Sequence, residues 1–323
     1  MEVSADARAA PAAPLAAASQ PVREPRILVL LAAYNGAPWI RDQIQSILAQ
    51  EAVDVHVIVR DDGSSDDTRT EVERIGSPGR VRLQAAPAPS GSAAQNFFAL
   101  IRENSAVGFD LVALADQDDL WNPDKLSRAS GLLSQEGSAG YSSWTTAVWS
   151  NGRESVLRQV TAPTSSDFLF EGIGQGCTFV LSAQFYERAR RFLIGHTALT
   201  RLVHYHDWAL YALARTWGLH WSLEPHPTVR YRQHGSNDTG ARNSADGIAR
   251  RIRLIRQGWY RQQLSAIADL CFAANPSNTT VATWRAVLVA RNRLRTAHFC
   301  IRGGRRKKID KAVLILAALA GWI

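Results

Sequence analysis

Three carboxylates lie within four positions at the end of an apolar run: Asp116, Asp118 and Asp119 follow residues 111–115. The apolar run is typical of a buried strand. Like charges this close repel one another, and burying them without partners would cost free energy. A divalent cation would remove both problems, and oxygen ligands suit Mg²⁺ or Mn²⁺, which could in turn bind a diphosphate. The alternative interpretation is a solvated acidic turn before a helix that begins near Pro123.

The segments around this cluster alternate between strand and helix patterns. Apolar runs predict strands at 26–33, 53–59, 81–84 and 111–115, and helical spacing predicts helices at 39–50, 68–75 and 93–104. This alternation predicts an α/β layer with a parallel sheet. The later pattern is less regular, with strands predicted at 141–148, 176–181 and 229–235 and helices at 185–193 and 202–217.

Polar residues follow three of the predicted strands. Tyr34 and Asn35 come after the first strand, Asp61 and Asp62 after the second, and the acidic cluster after the fourth. Ligands of such sheets bind beyond the carboxyl ends of the strands, so we expect these residues to meet in one crevice. No GxGxxG motif follows the first strand and no GxxxxGK[ST] motif occurs, which disfavours dinucleotide dehydrogenases and P-loop proteins.

Composition is that of a globular protein, with 323 residues, 46% hydrophobic and 20% charged. The three cysteines lie far apart without a CxxC pair, which argues against a disulfide framework and structural zinc and favours a reducing compartment. Residues 1–25 are rich in Ala and Pro and lack the apolar core of a signal peptide. We expect them to form a disordered leader.

Positive charge is concentrated at the C-terminal end. Residues 246–323 carry fifteen Lys and Arg against three Asp, a net +12 in a chain whose total is +8. Candidate partners are an anionic membrane surface, nucleic acid or an acidic substrate, and a solvated helical face is the alternative. No run reaches the ~20 apolar residues of a membrane span. The apolar residues 312–323 follow a basic cluster, which suits a helix lying in a membrane interface, or packing on the protein's own core.

Six motifs in order resemble those of the inverting glycosyltransferases of family 2. They are LLAAYNG at 30–36, VIVRDDGSSDDT at 57–68, ADQDDLW at 115–121, GQGCTFVLS at 174–182, HDW at 206–208 and YRQHGSN at 231–237. The residues of these motifs are most similar to those of bacterial rhamnosyltransferases of cell-surface polysaccharide biosynthesis. The resemblance implies a GT-A fold, which is a Rossmann-like nucleotide-sugar-binding α/β fold with a mixed central sheet, at 26–240. A helical, basic region that could associate with a membrane would follow at 241–323.

The resemblance also implies roles for individual residues. Asp207 is expected to be the catalytic base. The residues expected to bind the donor nucleotide are Ala33, Tyr34, Asn35, Asp62, Asp116, Gln117 and Arg232. Those expected to hold Mg²⁺ or Mn²⁺ are Asp116, Asp118, Asp119 and His234. Those expected near the acceptor or the transferred sugar are Gly176, Cys177, His206 and Trp208.

The reaction that this resemblance implies is transfer of a sugar with inversion, with dTDP-rhamnose as the expected donor of L-rhamnose. The acceptor would be a saccharide, free or linked to an isoprenoid lipid, and the enzyme would be cytoplasmic and peripheral at the inner face of the membrane. Alternatives are a UDP-hexose donor, a metal-dependent nucleotidyltransferase and a nucleic-acid-binding protein. Residues 34–38 lack the basic loop of nucleotidyltransferases, and no nucleic-acid-binding motif is present, so nucleic acid is not an expected partner.

Overall fold

A computed structural model of the chain describes residues 23–159, 162–234 and 253–323. The predicted leader, residues 1–25, lies almost wholly outside the described residues. So do the end of the YRQHGSN motif and the first part of the basic region.

The first half of the chain has the predicted alternation of strands and helices. Its elements are β1 (Arg26–Ala33), α1 (Ile40–Leu48), β2 (Asp54–Asp61), α2 (Thr68–Arg74), β3 (Val81–Ala85), α3 (Ala93–Glu103) and β4 (Leu111–Asp116). The apolar runs become buried strands: seven of the eight residues of β1 are buried. Helix α3 begins where the Ser92 side chain accepts the Gln95 N–H, an N-cap that satisfies one free amide.

The second half departs from the predictions at several points. Its elements are β5 (Leu120–Trp121), α4 (Lys125–Glu136), β6 (Gly140–Trp149), β7 (Glu154–Leu157), β8 (Val180–Ser182), α5 (Ala183–Gly195), α6 (Thr197–Thr200), α7 (His206–Thr216) and β9 (Trp221–Gln233). The strand predicted at 176–181 begins instead as a 3₁₀ turn, Gly176–Thr178, so that only its end joins the sheet. The helix predicted at 202–217 begins at His206.

The described strands form one sheet in the order β3-β2-β1-β4-β8-β6-β9-β5, with β7 beside β6. Strands β1 to β4 are parallel, whereas β8 is antiparallel to both of its neighbours and β5 is antiparallel to β9. The sheet is therefore mixed, which confirms the mixed central sheet expected of a GT-A fold, and its first four strands are parallel, as the alternation of strands and helices predicted. In register, Ala33 pairs with Asp61 and Ala32 with Asp116, so the three polar strand ends are level.

Hydrophobic cores lie on both faces of the sheet because successive side chains of a strand point to opposite sides. On one face, Val29 packs in a cluster with Ile44 of α1. On the other face, Leu28 packs in a cluster with Phe97 of α3 and with residues of α7. The sheet is thus a middle layer, and its edge at the carboxyl ends of β1, β2 and β4 carries the polar turns.

The described part of the C-terminal region is largely helical, which confirms its predicted helical character. Its helices include α8 (Trp259–Ala274), α9 (Thr279–Ala290), α10 (Arg293–Gly303) and α11 (Lys308–Ala320). Leu264 of α8, Trp284 of α9 and Leu314 of α11 lie in the same hydrophobic cluster as Leu210 of α7. The division into residues 26–240 and 241–323 stays a prediction. Among the described residues, no helix combines the length and the apolar character that crossing a bilayer requires.

A buried polar network joins this region to the rest of the molecule. The carboxylate of Asp167 is fully buried and accepts hydrogen bonds from Tyr211 Oη at 2.9 Å, Arg215 Nη1 at 3.1 Å and Arg306 Nη1 at 2.7 Å. Arg306 comes from the turn before α11, while Tyr211 and Arg215 lie on α7. One carboxylate therefore fixes the C-terminal helices against the helix that carries the HDW motif.

Candidate active site

Hydrogen bonds hold the turns after β1 and β2 together. The backbone N–H of Asn35 donates to Ser64 Oγ at 2.8 Å, and Asn35 Oδ1 accepts the N–H of Ser65 at 2.9 Å. The N–H of Gly36 donates to Thr68 Oγ1 at 2.7 Å. Asn35 adopts a positive φ of 49°, which Asn tolerates better than most residues. Asn35 is therefore used in shaping the turn that brings the first two strand ends together.

Gln117 attaches the acidic motif to the first of these turns. Its Oε1 accepts the Tyr34 N–H at 2.8 Å, and its Nε2 donates to the Tyr34 carbonyl oxygen at 2.9 Å. A Cβ on Gly36 would overlap the Gln117 amide, so a side chain there would displace Gln117 from its contacts with Tyr34. The Tyr34 side chain is 56% exposed beside this contact, where it is accessible to a ligand.

Asp62 is buried and fastens the loop that precedes α3. Its Oδ1 accepts the Ser90 N–H at 2.8 Å, and its Oδ2 accepts the Ser90 hydroxyl at 2.7 Å. Arg60, also buried, donates to Asp62 Oδ1 at 3.1 Å and to Asn96 Oδ1 at 2.8 Å. The N–H of Asp62 donates to the carbonyl oxygen of Ala33. These two residues, both predicted to bind the donor nucleotide, therefore link the ends of β1 and β2.

Asp118 and His234 meet at the mouth of the crevice although 116 residues separate them. The Asp118 Oδ2 to His234 Nε2 distance is 2.7 Å, and both side chains are partly exposed. The His234 ring stacks on Trp39, with ring centroids 4.3 Å apart and planes inclined by 14°. Sequence analysis did not predict this contact of Trp39, because nothing in the sequence around Trp39 indicates that the end of β9 reaches it.

Asp119 is fully buried behind this pair. Neither of its carboxylate oxygens has a hydrogen-bond partner among the described residues, while an oxygen of Asp116 and the Cys177 thiol lie within 4.8 Å. Burial and the neighbouring carboxylates of Asp118 and Asp116 raise the pKa of Asp119 well above its usual range. The same environment raises the pKa of the Cys177 thiol, which favours its protonated form.

Lys125 lies beneath the acidic cluster and is the main residue that sequence analysis missed. Its Nζ donates to the Cys177 carbonyl oxygen at 3.0 Å and lies 3.1 Å from the centroid of the Trp121 ring. Burial lowers the pKa of Lys125 well below its usual range. The sequence did contain a signal that Lys125 is buried. Lys125 lies on the same helix face as the apolar Ala129 and Leu133, at spacings of four residues.

The N-terminal end of α7 approaches the same loop from the other side. A Cβ on Gly176 would lie 2.7 Å from His206 Nε2 and 3.3 Å from Asp207 Cβ, so the absence of a side chain permits this contact. Asp207 is the second residue of α7, and its Oδ1 accepts the Trp208 N–H at 2.7 Å. A helix N-terminus stabilises a negatively charged carboxylate.

Two adjacent residues thus bring the predicted catalytic groups to one place. Gly176 contacts the start of α7 at Asp207, and the next residue, Cys177, contacts the acidic cluster at Asp116 and Asp119. Consecutive Cα atoms are about 3.8 Å apart. The candidate base and the candidate metal ligands therefore lie on either side of the Gly176–Cys177 turn, a proximity that the sequence suggested only through the resemblance.

Two other predicted residues have partners within the protein. Arg232 Nη2 donates to Asp42 Oδ2 of α1 at 2.9 Å. Trp208 is buried, and its Nε1–H donates to the Phe168 carbonyl oxygen at 2.7 Å. The Trp208 ring is covered by protein, so a contact with a sugar would require this packing to open.

The donor set fits a hard divalent cation. The two unpartnered oxygens of Asp119, the carboxylates of Asp116 and Asp118 and the imidazole of His234 are oxygen and nitrogen groups of the kinds that Mg²⁺ and Mn²⁺ accept. Cys177 lies beside this set, but its sulfur suits softer metals than Mg²⁺ or Mn²⁺.

We expect the free energy of unfolding to fall below pH 6.5, because His206 is buried in its neutral form. Its ring stacks on Phe97 with centroids 3.8 Å apart, and burial lowers the pKa of His206 from 6.5 to about 3. As the pH falls, His206 therefore takes up a proton in the unfolded chain before it does so in the folded protein. The stability that the neutral, buried His206 contributes is complete above pH 6.5 and is lost as the pH falls toward 3. Urea unfolding should show a loss of about 2 kcal/mol between pH 7 and 5.

The variant His206→Gln should lack most of this pH dependence, while the same change at the exposed His298 should leave it intact. Equal slopes of stability against pH in the wild type and in His206→Gln would contradict the assignment.

Comparison with known proteins identifies the family. The model of the family described as "Glycosyltransferase like family 2" matches residues 25–201, which is more than half of the chain. The chain belongs to glycosyltransferase family 2. It is therefore a glycosyltransferase, and the alternatives of a nucleotidyltransferase and a nucleic-acid-binding protein lose their support.

Relatives and solved structures of this family agree with that assignment. The dTDP-rhamnosyl transferase RfbG of Shigella flexneri is 33% identical over 241 residues, which cover 74% of this chain and 83% of the relative. The succinoglycan biosynthesis protein ExoO of Rhizobium meliloti is 38% identical over 107 residues, 32% of this chain and 28% of the relative. The structure of S. aureus TarS in complex with UDP is 16% identical, with a TM-score of 0.56 over 92% of this chain and 80% of TarS. This likeness confirms the GT-A fold.

Proposed function

We propose that this family 2 enzyme transfers L-rhamnose from dTDP-rhamnose, with inversion, to a saccharide carried on an isoprenoid lipid. The similarity to the rhamnosyl transferase supports the donor, since it extends over most of both chains. The observation that supports the reaction type is that Gly176 contacts Asp207 while the next residue, Cys177, lies beside Asp116 and Asp119. Inversion needs a base on one side of the sugar and stabilisation of the leaving group on the other.

In the proposed reaction, Asp207 accepts the proton of the acceptor hydroxyl while the hydroxyl oxygen attacks the anomeric carbon. The bond from that carbon to the nucleoside diphosphate breaks, and its electron pair leaves with the diphosphate. The transition state has oxocarbenium character, as in glycoside cleavage. Tyr34 is exposed where a nucleotide base could stack, and Asp62 and Asn35 hold the two turns that would border it.

Asp116, Asp118 and His234 would hold a Mg²⁺ or Mn²⁺ ion, with Asp119 directly behind them. When bound, such an ion neutralises negative charge on a diphosphate leaving group. The contribution of the protein itself is to collect these ligands: Trp39 stacks on the His234 ring, and Gln117 fixes the acidic motif to the first turn.

The acceptor and the location are proposed from the basic C-terminal region. A lipid-linked saccharide would be met at the inner face of the membrane, where anionic lipids attract clusters of Lys and Arg. The acceptor side of the crevice would be the part bordered by Gly176 and the start of α7.

Thermal unfolding with a panel of nucleoside diphosphates tests the donor and the metal together. We expect dTDP to raise the melting temperature more than UDP or GDP, and to do so only with Mn²⁺, because ligands of the native state stabilise it by mass action. In the variant Asp118→Asn the Mn²⁺-dependent shift should be lost. The matched control Asp269→Asn, in an exposed ion pair on α8, should keep it.

The outcomes separate the parts of the proposal. Stabilisation by UDP in preference to dTDP would replace rhamnose with a UDP-sugar donor. A dTDP shift that is equal without Mn²⁺ and in Asp118→Asn would contradict the metal site while leaving the donor in place.

A further inference from the structure

Helix α11 is apolar on two opposite faces. One face carries Leu314, Ala317 and Ala318, which are buried in the core. The other carries Ile309 and Leu316, which are 80% and 66% exposed, with Val313 between them. These three exposed residues are spaced by four and three positions, so they form one continuous stripe along the helix. A helix with apolar residues on two faces normally has an apolar partner on each of them.

The helix ends in further exposed apolar groups. Leu319 continues the stripe by one turn, and Trp322 follows just beyond the helix with its ring partly exposed. Trp is a residue that favours the boundary between water and lipid, because its large ring is apolar and its N–H is polar. The neighbouring helix α10 also exposes Leu294 and Ile301. These two residues are seven positions apart and therefore lie on the same side of α10.

Cations border the stripe. Lys307 and Lys308, both exposed, lie at the start of α11, and Arg302 is exposed at the end of α10. Arg295, on the same helix as Leu294, is exposed as well. An apolar stripe with cations at its border matches the interface of an anionic bilayer, in which acyl chains lie beneath phosphate groups.

The other possible occupants fit less well. The segments outside the described residues are poor in large apolar side chains. Residues 1–22 contain Met1, Val3, Leu15 and Val22, residues 160–161 contain Val160, and residues 235–252 contain Ile248 and Ile252. A second copy of the chain would meet this face through a self-complementary contact, which places the cations of the two copies near one another. That arrangement is opposed by like-charge repulsion.

We propose that the stripe formed by Ile309, Val313, Leu316 and Leu319 inserts into an anionic membrane surface, with Lys307 and Lys308 contacting lipid phosphates. The buried face of α11 and the Arg306–Asp167 bond hold this stripe rigidly on the enzyme. Membrane binding would therefore orient the catalytic crevice as well as anchor the protein. This inference rests on the membrane location proposed above and deepens it, but it does not depend on the identity of the donor sugar.

Co-sedimentation of the full chain with vesicles tests the proposal. We expect the protein to bind vesicles of phosphatidylglycerol and phosphatidylcholine, and the double variant Ile309→Ser, Leu316→Ser to bind at least tenfold more weakly. The double variant Lys307→Glu, Lys308→Glu should bind these vesicles more weakly. The binding that remains should be less sensitive to salt than that of the wild type. The matched control Val107→Ser, Val156→Ser replaces exposed apolar residues elsewhere and should bind like the wild type.

Because the changed side chains are exposed, the variants should keep the melting temperature of the wild type, and this is measured first. Two results would overturn the proposal. One is wild-type binding no stronger to anionic vesicles than to pure phosphatidylcholine. The other is a concentration-dependent dimer in solution that the Ile309→Ser, Leu316→Ser change dissociates without altering vesicle binding.

Discussion

Replacing Asp207 by Asn should lower kcat by about 10²- to 10⁴-fold, the range that a positioned general base contributes. The amide has nearly the shape of the carboxylate but cannot accept the acceptor's proton. Asn can still accept the Trp208 N–H through its oxygen, so the start of α7 should keep its structure. The measurement is the rate of sugar transfer at saturating donor, together with the donor affinity, which should change little.

The control separates catalysis from the loss of a charge at a helix N-terminus. Asp310 lies in the first turn of α11, as Asp207 does in α7, so Asp310→Asn removes an equivalent charge away from the crevice. We expect its transfer rate to be that of the wild type. A rate for Asp207→Asn within threefold of the wild type, with the fold intact, would remove Asp207 from the base position.

Replacing Asp167 by Asn should lower the free energy of unfolding by about 3–5 kcal/mol, the cost of removing one partner from a buried ion pair. The carboxylate accepts hydrogen bonds from Arg215 and Arg306, and the Arg306 side chain is almost fully buried. The variant would leave Arg215 without this counter-charge, while Arg306 would keep its ion pair with Glu171, whose Oε1 lies 3.5 Å from Arg306 Nε. Denaturant unfolding measures the loss, and proteolysis should cut first near the turn before α11 because that turn loses its attachment.

The matched control is Asp269→Asn, which breaks an ion pair with Arg285 in which both side chains are nearly half exposed. Exposed pairs contribute at most about 1 kcal/mol, so this variant should resemble the wild type. Equal losses in the two variants would show that burial of Asp167 does not decide its contribution.

The sequence by itself determined the first half of the fold. Strand β1 has the predicted bounds, because a run of branched apolar residues between Pro25 and the Tyr34 turn allows few other arrangements. Helices α1, α2 and α3 differ from prediction by at most two residues at either end. The meeting of the Tyr34, Asp62 and acidic segments also followed from local pattern, since parallel strands place their carboxyl ends at one edge.

Only the tertiary structure distinguished the three carboxylates. Asp118 and Asp119 are neighbours in sequence, yet one pairs with His234 at the surface and the other is fully buried beside Cys177. Which of them becomes buried depends on the short strand β5 and on loops more than 50 residues away, and no local spacing encodes these contacts. The same holds for Lys125, whose partner is the Cys177 carbonyl.

The C-terminal helix shows the limit of the pattern most clearly. From sequence, residues 312–323 could either pack on the core or lie on a membrane, and these appeared as alternatives. In the structure α11 buries Leu314 and exposes Leu316, so each face has its own environment. The apolar composition of the helix indicates that it needs apolar neighbours. Which face the protein covers is decided by the packing of α8 to α11, because this packing depends on contacts between residues far apart in the chain.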